Sequence, residues 1–145
     1  MNPFEFFIPQ NIIVGAGTLV RLPECAQKLG GTHAMLLSGP TLRKMGIVDK
    51  AVKYLEDAGM KVDIFTEIEA NPSVTTVEKA TTAFKEAGAD FIVALGGGSP
   101  MDVAKAVGVT AKYGGSITEY EGAHKVPGKI IQLIAIPTTA GTGSE

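Results

Sequence analysis

Residues 91–105 combine an apolar run, three consecutive glycines and the start of a helix, and this combination constrains the fold of the whole chain. The first five residues have the length and composition of a buried strand. After the glycines, Ser99 is a favourable N-cap, Pro100 suits the first helical position, and Asp102 completes a variant of the capping box. A strand that passes through glycines into a helix directs free backbone N–H groups and the positive end of the helix dipole at one point. This pattern predicts a phosphate site centred on residues 96–99.

Strands and helices alternate along most of the chain. Further strands are predicted at residues 33–38, 62–66 and 129–136, with helical periodicity between them. Gly46 interrupts one helical pattern and predicts a bend or a break there. This alternation predicts an α/β, Rossmann-like domain with a mostly parallel sheet and helices on both faces.

The N-terminal stretch predicts a short β segment, with strands at residues 4–8 and 12–14. Gly15 and Gly17 follow, and they could be taken for a dinucleotide-binding loop. However, Pro23 divides the helical stretch that comes next, and no glycine stands three residues after Gly17. We therefore interpret these two glycines as a structural turn.

Ligands of parallel sheets bind outside the carboxyl ends of the strands. The loops at those ends are residues 38–41, 66–73, 96–99 and 137–145, and we expect all four to converge on one crevice. The last of them is made almost entirely of small and hydroxyl residues, and the chain stops inside it. We therefore expect this chain to be a fragment or the first domain of a longer protein.

Composition excludes several classes of protein. The chain has 145 residues, 45% of them hydrophobic and 19% charged, as expected for one soluble globular domain. A net charge of −2 gives no electrostatic case for nucleic acid or a membrane surface. The single cysteine, Cys25, rules out an internal disulfide, and no apolar run approaches the roughly 20 residues of a membrane span. We expect a cytoplasmic protein without nucleic-acid or membrane partners.

The glycine motif differs from two common phosphate-binding motifs. Met101 occupies the third glycine position of the dinucleotide fingerprint, and the acidic residues about twenty positions on, Glu119 and Glu121, lie in an irregular connection. A Walker phosphate loop is excluded because no Gly-Lys-Ser/Thr sequence follows the glycines. On these grounds alone, the glycines could form a phosphate site or merely a tight turn.

Two long motifs resemble one enzyme family. Gly96-Gly-Gly-Ser-Pro-Met-Asp-Val-Ala-Lys105, followed by Ile136-Pro-Thr-Thr-Ala-Gly-Thr-Gly-Ser-Glu145, is similar to the iron-containing (group III) alcohol dehydrogenases. Phe6-Phe-Ile-Pro and Ile13-Val-Gly-Ala-Gly match the start of that family, and Glu69-Ala-Asn-Pro-Ser73 matches its Asn-Pro loop. The resemblance implies that residues 1–145 form an N-terminal NAD(P)-binding domain of the dehydroquinate synthase-like fold.

The resemblance also implies where a cofactor would bind. Its pyrophosphate would lie on Gly97, Gly98 and Ser99, and Asp102 would reach toward the ribose and nicotinamide while still capping the helix. Asn71 would contact the cofactor from the Asn-Pro loop, although Asn before Pro is also an ordinary turn signal.

Hydroxyl side chains near the end of the chain would line the adenine and phosphate side of the cofactor. The resemblance assigns this role to Thr138, Thr139 and Thr142, with Ser144 nearby. Hydroxyl groups can donate hydrogen bonds to the cofactor without adding charge. The alternative is that these residues form a polar turn with no ligand.

One position departs from the commoner family pattern. Members that prefer NAD usually carry an aspartate at the end of the second strand, where it binds the adenosine ribose. This sequence has Gly39 there, so a 2′-phosphate is neither repelled nor crowded. We therefore predict that NADP(H) is accepted or preferred, with Arg43 and Lys44 as possible charge partners.

The resemblance implies that one aspartate and three histidines of a helical C-terminal domain hold the metal, and we expect residues 1–145 not to include that domain. His33 and His124 match no ligand position, and Cys25 is interpreted as a small buried residue. The resemblance implies that the full-length enzyme uses Fe²⁺ or another divalent metal to transfer hydride between NAD(P)(H) and a short-chain alcohol or diol and its carbonyl. The chain alone would hold no catalytic residue and be inactive, and the full-length protein is expected to be a homo-oligomer.

Two alternatives stay open at this point. The chain could be a stand-alone nucleotide-binding module without catalysis. It could also belong to a polyol dehydrogenase or a dehydroquinate synthase-like enzyme of the same superfamily. The threonine-rich motif that ends the chain favours the alcohol dehydrogenases over these.

Overall fold

A computed structural model describes residues 10–144 of the chain. Its sheet has four parallel strands, which hydrogen-bond in the order β2-β1-β3-β4. The strands are β1 (His33–Ser38), β2 (Lys61–Phe65), β3 (Phe91–Gly96) and β4 (Leu133–Pro137). The prediction of a parallel α/β sheet is therefore confirmed.

Helices connect successive strands, as parallel pairing requires. They are α1 (Leu22–Lys28), α2 (Pro40–Lys44), α3 (Ile47–Asp57), α4 (Val74–Ala87) and α5 (Gly98–Tyr113), with short 3₁₀ turns at Thr18–Arg21 and Ile117–Tyr120. The predicted break at Gly46 separates α2 from α3, and this glycine has a left-handed φ of 77°. None of the helices within residues 10–144 is long and apolar enough to cross a membrane.

The core lies on both faces of the sheet because successive strand residues point to opposite sides. On one face, Met35 of β1 and Ile92 of β3 pack with apolar residues of α4 and α5. On the other face, Leu36 of β1 and Val93 of β3 pack with α1 and α3. Both central strands are buried almost throughout, which explains why their sequences are continuous apolar runs.

Two predicted strands need correction. Residues 12–14 are irregular, and Val14 is 90% exposed, so nothing in the described part of the chain pairs with them. The strand predicted from residue 129 begins at Leu133 instead, because the preceding segment bonds to α5: Ile131 N–H donates to the carbonyl of Gly108. The strand predicted at residues 4–8 lies outside the described residues.

The strand order places a topological switch point between β1 and β3. From β1 the chain passes outward to β2, and it then returns to the other side of β1 to form β3. The connections therefore leave the carboxyl ends of β1 and β3 in opposite directions and open a crevice between them. Open α/β sheets bind their ligands at this kind of crevice.

Candidate functional site

A cleft of about 390 Å³ lies at the carboxyl edge of the sheet. Loops that follow all four strands line it, as the sequence predicts. The lining residues are Gly39, Pro40, Thr41, Leu42, Ile68, Glu69, Ala70, Thr138 and residues 96–100. The switch point between β1 and β3 thus opens into a cleft that all four loops share.

The glycine turn, residues 96–98, carries the chain from β3 into α5. Gly96 has a φ of 151°, and a Cβ there would lie 2.8 Å from Cγ of Pro100, so only glycine fits without strain. The prediction that Ser99 is the N-cap is wrong, because α5 starts at Gly98 and Gly97 occupies the N-cap position. Gly97 has no side chain to cap the first turn of α5. Its backbone is extended, and both Gly97 and the first turn of α5 line the cleft.

The hydroxyl loop, residues 137–144, packs directly against the glycine turn. A Cβ on Gly98 would lie 2.8 Å from Oγ of Ser144 and 3.4 Å from Thr142, and a Cβ on Gly97 would lie 3.5 Å from Oγ1 of Thr139. The backbone N–H of Thr138 also donates to the carbonyl of Gly96 at 2.8 Å. The glycines therefore leave room for a neighbouring loop, which the sequence interpretation had not included.

Asp102 takes part in a different interaction from the predicted capping box. Its carboxylate accepts a hydrogen bond from the hydroxyl of Ser144 at 3.0 Å, and it lies 3.7 Å from the ammonium of Lys105. Asp102 is largely exposed, whereas Ser144 is only 7% exposed. Asp102 therefore joins α5 to the end of the hydroxyl loop and is not a helix cap.

A second hollow of about 360 Å³ is formed by the hydroxyl loop itself. It is lined by Pro137, Thr138, Thr139, Ala140 and Gly141. Because Thr138 lines both this hollow and the main cleft, the two spaces adjoin.

Glu69 organises the Asn-Pro loop, residues 66–73. Its carboxylate accepts hydrogen bonds from the hydroxyl of Thr76 and from the backbone N–H of Ser73, and these bonds lower the pKa of Glu69 to about 2. Ser73 in turn caps α4 by accepting from the N–H of Thr76 at 3.2 Å. Asn71 has a left-handed φ of 55°, which Asn tolerates better than most residues. It is exposed in this loop and does not line the cleft.

Gly39 lies at the carboxyl end of β1, where the hydroxyl of the buried Ser38 donates to the carbonyl of Leu95 at 2.7 Å. Its φ is −82°, and a Cβ built on it would meet nothing within 4 Å. A larger residue would therefore fit here without strain. The absence of a side chain leaves open space at this end of the cleft.

The predicted site residues fall into three groups. Gly39, Gly97, Gly98, Ser99 and Thr138 line the main cleft. Thr139 lines the adjoining hollow, and Asp102, Thr142 and Ser144 hold the hydroxyl loop near the glycine turn. Asn71 forms the third group by itself, because it lines neither space.

Sequence reasoning missed two residues that organise the site. Glu69 belongs to the quoted Asn-Pro motif, and the signal was its position four residues before Ser73, the residue that caps the next helix. Lys105 ends the quoted glycine motif and lies one helical turn after Asp102, which places both side chains on one face of the helix.

The described residues do not fit a metal. Within residues 10–144, no three His, Cys, Asp or Glu side chains are grouped in a way that could hold a metal ion. His33 pairs with Asp63 at 2.7 Å near the amino edge of the sheet, away from the cleft. His33 therefore has a structural role, as the hydrogen-bond partner of Asp63.

Comparison with known proteins agrees with the fold. The model of the family described as iron-containing alcohol dehydrogenase matches residues 9–145, and this chain belongs to that family. Over 141 residues the chain is 35% identical to the NAD-dependent methanol dehydrogenase of Bacillus methanolicus, covering 97% of this chain and 37% of the relative.

Solved structures show the same relationship. The crystal structure of a 1,3-propanediol oxidoreductase superposes with a TM-score of 0.94 and 37% identity, over 99% of this chain and 38% of that chain. The sulfoacetaldehyde reductase of Bifidobacterium kashiwanohense, solved in complex with NAD⁺, gives a TM-score of 0.89 and 31% identity, over 100% of this chain and 38% of that one. The chain thus spans well under half the length of the relatives it matches.

Proposed function

We propose that this chain binds a nicotinamide dinucleotide and serves as the cofactor domain of an alcohol dehydrogenase. The observation that carries the proposal is the glycine turn at the start of α5, which faces the cleft at the switch point between β1 and β3. Backbone N–H groups and the helix dipole favour a pyrophosphate at this position. A relative named as NAD-dependent and a similar structure solved with NAD⁺ support the same cofactor class.

In this proposal the pyrophosphate lies over Gly97, Gly98 and Ser99, which line the main cleft. The hydroxyls of Thr138, Thr139 and Thr142 donate to the cofactor from the facing loop, and Ser144 supports that loop. In the proposal Asp102 reaches toward the ribose and nicotinamide region while its carboxylate holds the hydroxyl of Ser144, and Asn71 reaches the cofactor from the Asn-Pro loop. The support for Asn71 is its place in the matched motif, since it does not line the cleft.

The full reaction in this proposal is hydride transfer between NAD(P)(H) and a short-chain alcohol or diol and its carbonyl. The named substrates of the relatives, methanol and 1,3-propanediol, support that substrate class. A bound Fe²⁺ or similar divalent metal would supply Lewis-acid polarisation of the substrate oxygen. Residues 10–144 offer no group of ligands for it, so this domain's share is to bind the dinucleotide and fix the orientation of its nicotinamide. A single cysteine fits a reducing, cytoplasmic location.

The test separates cofactor binding from catalysis. We expect the purified protein to bind NAD⁺ with a micromolar to millimolar dissociation constant, and a chelator to leave that binding unchanged. Oxidation of a short-chain alcohol by the full-length enzyme should disappear with the chelator and return with Fe²⁺. Isothermal titration calorimetry and NADH absorbance measure the two effects. Failure to bind either NAD⁺ or NADP⁺ at millimolar concentration would overturn the proposal.

A second part of the proposal concerns the preference between NAD⁺ and NADP⁺. We propose that NADP⁺ is accepted in addition to NAD⁺, because Gly39 leaves open space and no carboxylate where a 2′-phosphate would lie. Arg43 is a weaker support, since its guanidinium lies 3.4 Å from Asp49 and is partly neutralised.

Gly39→Asp tests this preference. The new side chain has room, and its charge at about 4 Å from a 2′-phosphate should weaken NADP⁺ binding about tenfold or more relative to NAD⁺. Gln27→Asp adds the same charge on the exposed surface of α1, outside the cleft, and should leave the ratio unchanged. Parallel titrations with both cofactors give the ratio. If NADP⁺ binds wild type far more weakly than NAD⁺, the preference is wrong although the dinucleotide site stands.

A further inference from the structure

Lys105 has a contact that the cofactor assignments above leave unused. It lies on α5 one turn after Asp102, and its ammonium donates a hydrogen bond to the backbone carbonyl of Ser144. The same ammonium lies 3.7 Å from the carboxylate of Asp102, which accepts the hydroxyl of Ser144. Lys105 and Asp102 therefore hold one residue of the hydroxyl loop by two different groups.

These contacts fix the far end of the hydroxyl loop. The near end is fixed where the N–H of Thr138 donates to the carbonyl of Gly96 at the end of β3. Between the two ends, Gly141 and Gly143 adopt left-handed φ values of 76° and 80°, and the intervening residues are exposed. An exposed loop with two such glycines gains little order from its own packing, so its contacts with the glycine turn and with α5 decide its position.

Lys105 is well placed to act through the loop. It does not line the main cleft or the adjoining hollow. Its side chain is 45% exposed, so the bond to Ser144 does not depend on a tightly packed core position. The partner, Ser144, is almost fully buried and lies against the space beside Gly98.

We propose that Lys105 is a positioning residue for the dinucleotide: it holds the carbonyl of Ser144 so that the hydroxyl loop stays against the glycine turn. Thr139 and Thr142 are then presented beside Gly97 and Gly98 before the cofactor arrives. Pre-ordering of this kind strengthens binding because the loop's conformational entropy is lost on folding and not on binding. The inference rests on the proposed function, because it assumes that the cleft takes a nicotinamide dinucleotide.

The first experiment needs no cofactor. Amide hydrogen exchange of residues 138–144 is compared in wild type, Lys105→Met and Lys112→Met. Lys112 is a matched control, because it is on the same helix and its ammonium also donates to a backbone carbonyl, that of Lys129 at 2.5 Å. We expect Lys105→Met to speed exchange in the loop about tenfold, with the strands unchanged, and Lys112→Met to leave the loop unchanged.

The second experiment measures NAD⁺ affinity of the same proteins, together with Lys105→Arg. We expect Lys105→Met to weaken binding about tenfold, the equivalent of one hydrogen bond to a charged group, and Lys105→Arg to restore most of it. Lys112→Met should bind like wild type.

The outcomes separate the two proposals. Unchanged loop exchange in Lys105→Met overturns the positioning role, and a loss of affinity in that case would mark Lys105 as a direct phosphate ligand. Faster exchange with unchanged affinity also overturns it, since the loop's position would then not matter for binding. If wild type binds no dinucleotide, the proposed function fails and the positioning role fails with it, whatever the exchange shows.

Discussion

At the scale of single residues, the glycine turn meets two requirements at once. Position 96 requires glycine because its φ is positive and a Cβ there would collide with Pro100. Position 98 requires glycine because Oγ of Ser144 lies where a Cβ would need space. Close approach of a phosphate is therefore only one reason for glycine here, and packing of the hydroxyl loop is another.

Gly98→Ala should uncouple the hydroxyl loop from α5. The new methyl group would lie 2.8 Å from Oγ of Ser144, so the serine must move and its bond to Asp102 should lengthen or break. Overpacking lowers the free energy of unfolding by about 1–3 kcal/mol, and the better helix propensity of alanine offsets up to about 1 kcal/mol of this loss. We expect the NAD⁺ affinity measured by calorimetry to fall at least about tenfold. The free energy of binding should change by more than the free energy of unfolding.

Gly108→Ala is the matched control for this change. Gly108 lies in the same helix, and a Cβ there would meet the flexible end of Ile130 at 3.0 Å, away from the cleft. Its NAD⁺ affinity should equal that of wild type. Equal affinities for Gly98→Ala and wild type would show that the contact with Ser144 does not control the site.

At the scale of elements, each loop of the cleft is held by interactions with the helix that follows its own strand or a neighbouring strand. The Asn-Pro loop is the clearest case, because Glu69 accepts hydrogen bonds from Ser73 and Thr76 at the start of α4. The ionised carboxylate is the better acceptor, and the pKa of Glu69 is accordingly lowered from 4.5 to about 2. The conformation of this loop therefore depends on a charge.

The sign of the resulting pH dependence follows from the lowered pKa. The folded protein favours the ionised form of Glu69, so this carboxylate contributes to the stability of the folded state. That contribution is fully present above pH 4.5 and is lost as the pH falls through about 2. The amide resonance of Ser73 should consequently titrate with a midpoint near pH 2, as measured by NMR. A midpoint between pH 4 and 5 would contradict this account.

Glu69→Gln separates the loop from other carboxylates that titrate in acid. It keeps an acceptor oxygen of the same shape, so the fold should persist, but the Ser73 resonance should lose its acid transition. Glu67→Gln is the control, since Glu67 lies in the same loop and its carboxylate lies 3.9 Å from the ammonium of Lys79. That variant should keep the transition.

At the scale of the whole molecule, the two edges of the sheet have different tasks. The carboxyl edge opens at the switch point and carries the cleft. At the amino edge, Asp90 accepts hydrogen bonds from Thr32 and from the N–H of His33, which joins the starts of β1 and β3. Burial raises the pKa of Asp90, but these hydrogen bonds lower it by more. The edge away from the cleft thus anchors the sheet.

Sequence patterns predicted much of this fold because they record local physics. Continuous apolar runs identified the two buried central strands, and Gly46 marked a break between two helices. The same locality explains the errors. Residues 12–14 have strand-like composition without a pairing partner in the described chain. Residues 129–131 bond to α5, and hydrogen bonding to the sheet begins only at the carbonyl of Gln132. Strand pairing is a long-range property, so composition alone could not decide either case.

The sequence by itself determined the parallel α/β class, the glycine turn and the four loops from which a cleft could be built. Only the tertiary structure decided the strand order, and with it the switch point between β1 and β3. It also decided that Ser144 fills the space beside Gly98 and that Lys105 holds Ser144, contacts that join residues about forty positions apart. Such contacts depend on how the sheet brings α5 and the end of β4 together, and no local pattern in the chain encodes that approach.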